Sequence, residues 1–351
     1  MKNTDSPASH FFAANTNNAP TALALNRVVT AGRFTGAIAE LSTAQWDGSC
    51  GLLSARRSQR KGWIYGGVMD ARFIIGFAIA DAGWLGTAFV YVYDRVQKTL
   101  IEHKATRPLA FDKHFQPSPH TSWQLKNGQD CWRIEPLPNQ AGWAFSFNNP
   151  TLNLAFELID DGTSISALNN SPSAGNSRPF HYTHKLAGIH ASLHLNINGE
   201  VHEVTDAQGV FDFTLGYPPR TTLWQWACWV GALDDGRLFA CNLVAQTMNG
   251  LENTAWLRER DGTARIMPMA QAVFNYNRDD TLKLWQIHTA DGRLRVQFTP
   301  EGARSESINI GVMHSHFTQP FGGFSGVWID GDGSEHTLSG VGVVEQHRAL
   351  W

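Results

Sequence analysis

The sequence has few cysteines and little net charge. Its 351 residues include four cysteines, and 28 basic residues stand against 31 acidic ones, for a formal net charge of -3. Four cysteines are too few for a disulfide scaffold in a chain of this length, and none stands in the Cys-x-x-Cys spacing of a zinc ribbon or a thioredoxin-like motif. Because nucleic-acid-binding proteins need a basic stripe to neutralise phosphates, the charge balance predicts no nucleic-acid partner.

The sequence also has no long apolar run. A membrane-spanning helix needs about 18 or more consecutive apolar residues, and no such run occurs, so stable membrane insertion is not expected. The segment from Met1 to Pro20 is polar and lacks the basic-then-apolar order of a secretory signal. Residues 1–25 are therefore predicted to be a flexible N-terminal arm, and the protein is expected to be cytoplasmic. The oligomeric state is left open.

Common cofactor motifs are missing as well. No Gly-x-Gly-x-x-Gly leads from a strand into a helix, and neither a P-loop nor a Gly-x-Ser-x-Gly nucleophile elbow is present. These absences give no support for a dinucleotide site, a phosphate cradle or a serine hydrolase. We expect no cofactor, which leaves a cofactor-free activity or simple binding, with a small apolar molecule as the partner.

Aromatic residues, by contrast, are abundant, with 13 Trp and 20 Phe. From about Gly62 onward apolar and polar residues alternate with period two, and β-branched and aromatic runs such as Phe89–Tyr93 suit a pleated surface. Turn pairs that favour hairpins occur at Asn198-Gly199, Asp235-Gly236, Asp261-Gly262, Asp291-Gly292 and Asp332-Gly333. Repeated antiparallel hairpins predict an all-β fold of two barrel halves with few short helices, because barrels remove exposed sheet edges.

A break in this strand rhythm lies between Ser164 and Pro179, where Ser, Asn, Pro and Gly dominate. We take it as the boundary between a first half, residues 26–170, and a second half, residues 171–351. A barrel of roughly eight strands can enclose one small ligand. The tryptophans of the second half predict that its interior is the ligand site.

The order of several short segments resembles a known family. The segments are Tyr182–Gly188, Leu215–Arg220, Trp224–Trp226, Gln319–Gly326 and Gly342–Trp351. Together they resemble the bacterial domain-of-unknown-function family 2804 (DUF2804) from about Arg33 to Trp351. More distantly, the layout is similar to the two-barrel lipocalin-like carotenoid hydratases and tocopherol cyclases. The resemblance implies two lipocalin-like antiparallel β-barrel halves packed together and a class of ligand, and it implies no catalytic residues.

The last strand offers the clearest candidate for chemistry. Alternation along the strand places on one face Val341, Val343, Glu345, His347, Ala349 and Trp351. Burial would raise the pKa of the carboxyl group and lower that of the imidazole, whereas mutual pairing would oppose both shifts. Glu345 and His347 are predicted to be a catalytic acid–base pair. The alternative is a structural pair that ties down the last strand.

Four further strand or rim positions are candidates. Glu252, directly after a glycine-containing turn, is a third catalytic candidate, although a solvated loop charge would look the same. Trp224 and Trp226 share a strand face and would either line a cavity and stabilise a cationic intermediate or pack in the core. Asn242 interrupts an apolar strand, where its amide would orient a ligand oxygen or satisfy a bulge.

Tyr217, His184, His316 and Gln319 complete the set of ligand-binding candidates. His184 stands in the polar cluster His181–Lys185, for which gating or contact between the halves is an alternative. His314 and His316 have the His-x-His spacing that binds metals in some β-proteins. No third ligand is defined for them, so hydrogen-bonded histidines near a barrel mouth are preferred and no metal is predicted.

These features support three hypotheses. The first is a cofactor-free acid–base enzyme of the hydratase, cyclase or isomerase type, acting on a small apolar lipid- or terpenoid-like molecule in a Trp-lined barrel. The second is a non-catalytic carrier of such a ligand. The third is a carbohydrate-binding or glycoside-hydrolysing protein, for which Glu252 and Glu345 would be the carboxylate pair.

Overall fold

The computed structural model describes residues 17–24, 28–44, 59–108, 118–170, 180–245, 250–311 and 313–350. The expected N-terminal arm lies outside these ranges apart from residues 17–24, and Trp351, the last residue of the predicted face, also lies outside them. Strands account for most of the described residues. No helix among them is long and apolar enough to cross a membrane.

Thirteen strands form the first sheet. They are β1 (Asn17–Asn18), β2 (Gly32–Thr35), β3 (Lys61–Met69), β4 (Phe73–Asp81), β5 (Leu85–Asp94), β6 (Thr99–Pro108), β7 (Trp123–Asn127), β8 (Asp130–Pro136), β9 (Gly142–Asn148), β10 (Leu152–Ile159), β11 (Ile165–Asn170), β12 (Phe180–Ile197) and β13 (Glu200–Gly216). Hydrogen bonding follows the order β6-β5-β4-β3-β13-β12-β10-β9-β8-β7, and β11 pairs with β12 and β2 beside this path. The sheet curls into a nearly closed barrel.

Nine strands form the second sheet, which is a half-barrel. They are β14 (Thr221–Leu233), β15 (Leu238–Ala245), β16 (Thr254–Arg258), β17 (Ala264–Pro268), β18 (Ala272–Asn275), β19 (Trp285–Thr289), β20 (Leu294–Ile310), β21 (Met313–Ile329) and β22 (Glu335–Leu350). The order is β17-β16-β15-β14-β22-β21-β20-β19-β18, so the last strand lies at the centre of the sheet. The predicted all-β architecture of two packed, lipocalin-like halves is confirmed.

The division between the sheets falls later in the chain than the boundary that the sequence suggested at residues 170 and 171. Strands β12 and β13, which follow that boundary, are hydrogen-bonded into the first sheet, and the second sheet starts at Thr221. The residues between Gly216 and Thr221 include Pro218 and Pro219. Proline has no N–H to donate to a strand ladder, which is the physical reason that pairing ends here.

Period-two alternation distributes the buried side chains over three layers. One apolar cluster fills the first barrel and a second fills the concave side of the half-barrel. A third cluster joins the two sheets and includes Tyr65 and Tyr91 from the first sheet and Trp226, Trp256 and Phe321 from the second. The long central strands are therefore buried on both faces, and the layer between the sheets is a second interior.

The two sheets approach closely at Gly188. This residue has a positive φ of 68° at a bulge in β12, a conformation that glycine adopts at little cost. A Cβ atom added there would lie 2.7 Å from the Leu238 side chain and 3.0 Å from that of Ala240, both in β15. The Gly188 carbonyl also accepts a hydrogen bond from Arg258 Nε at 2.5 Å. Gly188 thus permits the close packing that encloses the layer between the sheets.

Candidate functional site

A cavity of about 260 Å³ opens in the layer between the two sheets. Six aromatic residues, drawn from strands of both sheets, line it: Trp63, Tyr65, Phe89, Trp224, Trp226 and Phe317. The volume is just below the roughly 300–1,000 Å³ that is usual for small-molecule sites. The cavity therefore belongs to neither barrel interior, whereas the sequence suggested the interior of the second half.

Glu345 projects from β22 into this cavity. Its Oε2 accepts a hydrogen bond from Trp224 Nε1 at 3.1 Å, and its Oε1 accepts one from Gln319 Nε2 at 2.7 Å. Burial raises the pKa of Glu345 to about 7, although both hydrogen bonds oppose this shift. Near neutral pH, protonated and ionised Glu345 therefore have comparable populations, which suits a group that donates and regains a proton.

His347 lies on the same face but is not hydrogen-bonded to Glu345 in the described structure. Its Nε2 is 2.8 Å from Ser315 Oγ, and its ring meets the edge of Trp224 at a centroid distance of 4.1 Å. Burial lowers the pKa of His347 to about 3. The ring is therefore neutral at physiological pH, and the Trp224 indole contacts both members of the predicted pair.

Trp224 and Trp226 have different roles in the wall. Trp224 stacks on Trp63 of the first sheet, with ring centroids 6.0 Å apart and an interplanar angle of 16°. Trp226 donates its Nε1–H to Asn242 Oδ1 at 2.7 Å, and Asn242 Nδ2 in turn donates to the Glu252 carbonyl at 2.9 Å. Asn242 therefore holds the Trp226 indole from behind and does not line the cavity.

We expect the Trp224→Phe variant to raise the pKa of Glu345 further above 7. The indole N–H stabilises the ionised carboxylate, and its removal leaves burial less opposed, so the titration midpoint should rise by about one pH unit. A ¹³C NMR titration of the Glu345 carboxyl would measure it. The Trp63→Phe variant, which changes the stacked ring without touching Glu345, should leave the midpoint in place. A midpoint that falls or stays at about 7 in Trp224→Phe would contradict the role given to this hydrogen bond.

A buried charge cluster lies at another part of the cavity wall. Lys185 Nζ is 2.5 Å from Asp212 Oδ2 and 3.2 Å from Glu252 Oε2, and it lies 5.8 Å from the centroid of the Trp226 ring. Burial by itself would lower the pKa of Lys185, but the two carboxylates outweigh it and raise that pKa above its ordinary value. Glu252 is thus a buried ion-pair partner and not a solvated loop charge.

Lys185 was named from the sequence as part of the polar cluster His181–Lys185, but its ion pair with Asp212 was not predicted, although a signal exists. The two residues stand directly opposite each other in β12 and β13. Counting residues outward along both strands from the Asn198-Gly199 turn predicts this pairing. The count holds because the two register shifts along the hairpin cancel each other. A lysine and an aspartate facing each other within two apolar strands would have indicated a buried ion pair.

Arg304 is a second buried cation that the sequence did not indicate. Its guanidinium carbon lies 3.8 Å from the Phe89 ring centroid and 5.1 Å from that of Phe317. Nη2 donates to Glu306 at 2.5 Å, and Nε is 3.2 Å from a carboxylate oxygen of Glu102. Stacked between two aromatic rings and paired with two carboxylates, Arg304 is fixed in position at the cavity wall.

Gln319 is the one remaining ligand-binding candidate that the structure brings to Glu345. His184 is fully buried inside the first barrel, where burial lowers its pKa to about 3, and its ring lies against Trp143 and Phe211. Tyr217 packs on Phe180 with ring centroids 5.5 Å apart, also in the first core. Neither lines the cavity.

His316 and its neighbour His314 are exposed on the outer side of β21. His316 Nδ1 lies 2.8 Å from Ser307 Oγ. Among the residues that the structure describes, neither histidine has a third potential ligand nearby, and the group with metal-like spacing is Asp234, Asp235 and His336 on the surface. The His-x-His spacing thus reflects alternation on an exposed face.

Comparisons with known proteins agree with this architecture. The family model for the domain of unknown function DUF2804 matches residues 27–351. The solved structure of kievitone hydratase from Nectria haematococca is similar with a TM-score of 0.51 at 10% identity, over 82% of this chain and 88% of that one. At this level of identity, the similarity shows a shared fold alone.

Two further solved structures have lower TM-scores. A protein described as a putative AttH from Nitrosomonas europaea has a TM-score of 0.47 at 13% identity, over 84% of this chain and 93% of that one. CghA, solved with Sch210972, has a TM-score of 0.39 at 10% identity, over 83% and 88% of the two chains. No curated protein matches the chain in sequence.

Proposed function

The chain belongs to the DUF2804 family, and we propose that it is a cofactor-free acid–base enzyme that protonates a small, largely apolar molecule in the cavity between its sheets. The main support for this proposal is a buried carboxyl group, that of Glu345, whose pKa is raised to about 7 in a cavity lined by aromatic rings. Hydration, cyclisation and double-bond isomerisation can each begin with such a protonation. Hydration is also the reaction named in kievitone hydratase, which shares the fold.

The contacts of Glu345 fit a proton donor. When the carboxyl gives its proton to a substrate carbon, the π electrons of the double bond form the new C–H bond and a carbocation develops. The N–H groups of Trp224 and Gln319 then stabilise the carboxylate that remains. The Trp63 ring in the wall would attract the developing cation, by roughly 2 kcal/mol when water is excluded.

Glycoside hydrolysis is less well supported by the same geometry. It requires two carboxyl groups that are available to the sugar, one of which carries a proton. Glu252, the second member of the suggested pair, is engaged by Lys185 at 3.2 Å. Its charge is therefore used to balance a buried cation.

A labelling experiment separates an enzyme from a carrier. The purified protein would be incubated in deuterated water with a panel of small alkenes, unsaturated ketones and terpene alcohols, and the recovered compounds examined by mass spectrometry. Protonation of carbon by Glu345 should introduce deuterium into at least one compound, and heat-denatured protein should introduce none. If compounds bind tightly but acquire neither deuterium nor added water, the carrier hypothesis is favoured and the enzyme proposal is wrong.

A further inference from the structure

His181 lines the same cavity as Glu345 but belongs to the other sheet. Within the described residues its ring makes no hydrogen bond, and its nearest aromatic neighbour is Trp63, at a centroid distance of 6.1 Å. Its side chain is partly exposed and borders the cavity. A polar ring that remains open to a cavity and has no protein partner is suited to contact a bound molecule.

The two indoles of the wall connect His181 with Glu345. His181 borders Trp63, Trp63 stacks on Trp224 at 6.0 Å, and Trp224 Nε1 donates to Glu345. An imidazole and a carboxyl group thus border the same pair of stacked indoles from opposite sheets. A molecule held in the cavity beside these indoles would have the Glu345 carboxyl group on the side of the second sheet and the His181 ring on the side of the first.

The charges around His181 are those of the buried cluster. Lys185 lies on the same face of β12, and Asp212 and Glu252 are its partners. Burial lowers the pKa of His181, Lys185 acts in the same direction, and the two carboxylates act in the opposite one. The ring is therefore neutral near pH 7 and has a free lone pair on one nitrogen.

We infer that His181 is the second catalytic residue of this site, the proton acceptor that completes the reaction begun by Glu345, and that the substrate is a compact unsaturated compound. This inference rests on the proposed function. After Glu345 protonates one carbon of a double bond, His181 takes a proton either from the carbon next to the cation, which re-forms a double bond, or from a water molecule as its oxygen bonds to the cation. Glu345 ends as a carboxylate and His181 as an imidazolium, and exchange of one proton with solvent restores both.

A binding comparison tests His181 without knowledge of the natural substrate. The probes are 2-naphthol, which carries one O–H donor, and naphthalene, which has the same rings without it. By equilibrium dialysis the wild-type protein should bind 2-naphthol about tenfold more tightly, as expected for one hydrogen bond. The His181→Leu variant should lose this preference while its affinity for naphthalene, which reports an intact cavity, is unchanged.

Matched variants make the outcome specific. His316→Leu, on the exposed outer face, should keep the preference, and His181→Gln, which restores an acceptor oxygen, should recover part of it. A wild-type protein that binds both probes equally, or binds neither, would overturn the inference. So would a preference that survives in His181→Leu or disappears in His316→Leu.

The labelling experiment distinguishes this inference from the proposed function. In His181→Leu, Glu345 can still exchange deuterium into a substrate by protonating it and regaining the proton, whereas net conversion should fall at least 100-fold. Absence of exchange in the wild-type protein counts against the proposed function. Full net conversion by His181→Leu counts against the role of His181 alone.

Discussion

The Glu345→Gln variant should lose about 10²–10⁴-fold in kcat on any compound that the wild-type protein converts, which is the usual contribution of a positioned general acid. The amide matches the carboxyl group in size but carries no proton that it can donate. The measurement is the steady-state rate of conversion of a substrate identified by deuterium labelling. Glu335→Gln, an exposed position on the same strand, is the matched control and should leave the rate unchanged.

The assignment of Glu345 as the proton donor also predicts how the rate of conversion changes with pH. The protonated form of Glu345 is the active one, and its pKa is raised to about 7. The rate should therefore be highest below pH 7 and fall about tenfold for each pH unit above it. A rate that is flat from pH 5 to pH 9, or a Glu345→Gln variant that keeps more than a tenth of the wild-type rate, would contradict the assignment.

Stability should respond to the same titration. The folded-state pKa of Glu345, about 7, lies above the ordinary value of 4.5. Protonation of Glu345 therefore stabilises the folded state fully when the pH is below 4.5, and this contribution is lost as the pH rises through about 7. Glu345→Gln removes that part of the pH dependence. Comparing urea unfolding of the two proteins at pH 5 and pH 8 therefore tests the pKa independently of catalysis.

The Lys185→Met variant should be destabilised by about 3–5 kcal/mol, the largest effect on stability that we expect from one substitution here. It leaves Asp212 and Glu252 buried without their shared cation, and their side chains are only 12% and 3% exposed. Arg33 is near Glu252, but its Nε and Nη2 already donate to the carbonyls of Leu251 and Asn253. Urea unfolding at pH 7 measures the loss.

Two further variants test whether the loss comes from unpaired charge. The triple variant Lys185→Met, Asp212→Asn, Glu252→Gln should recover most of the stability, since replacing a whole buried ion cluster is often close to neutral. Lys283→Met removes an exposed ion pair with Asp280 and should cost less than about 1 kcal/mol. A Lys185→Met protein within 1 kcal/mol of wild type would show that the cluster contributes little.

Local alternation was enough to predict which candidate residues share a strand face. Glu345 and His347 share a face of β22, and Trp224 and Trp226 share a face of β14, as their spacing indicated. Asn242 and His184 were equally visible as polar residues in apolar strands. Their spacing does not say which layer each side chain faces, and the structure places Asn242 behind Trp226 and His184 inside the first barrel.

Contacts across strands and between the sheets account for what the sequence did not reveal. Gln319 reaches Glu345 across the β21–β22 pair, and Lys185 of the first sheet meets Glu252, which precedes β16 of the second. The chain boundary is another example. The segment rich in Ser, Asn, Pro and Gly separates two strands of one sheet, whereas the change of sheet occurs at Pro218 and Pro219.

The sequence by itself determined the all-β class, the hairpin turns, and which neighbours along a strand share a face, because period-two alternation and turn chemistry are local properties. Only the tertiary structure decided that the cavity lies between the sheets, that Glu345 titrates near neutral pH, and that His181 from one sheet and Glu345 from the other border one aromatic wall. The physical reason is that desolvation depends on what packs over a residue, and here the covering surface comes from strands far apart in the chain.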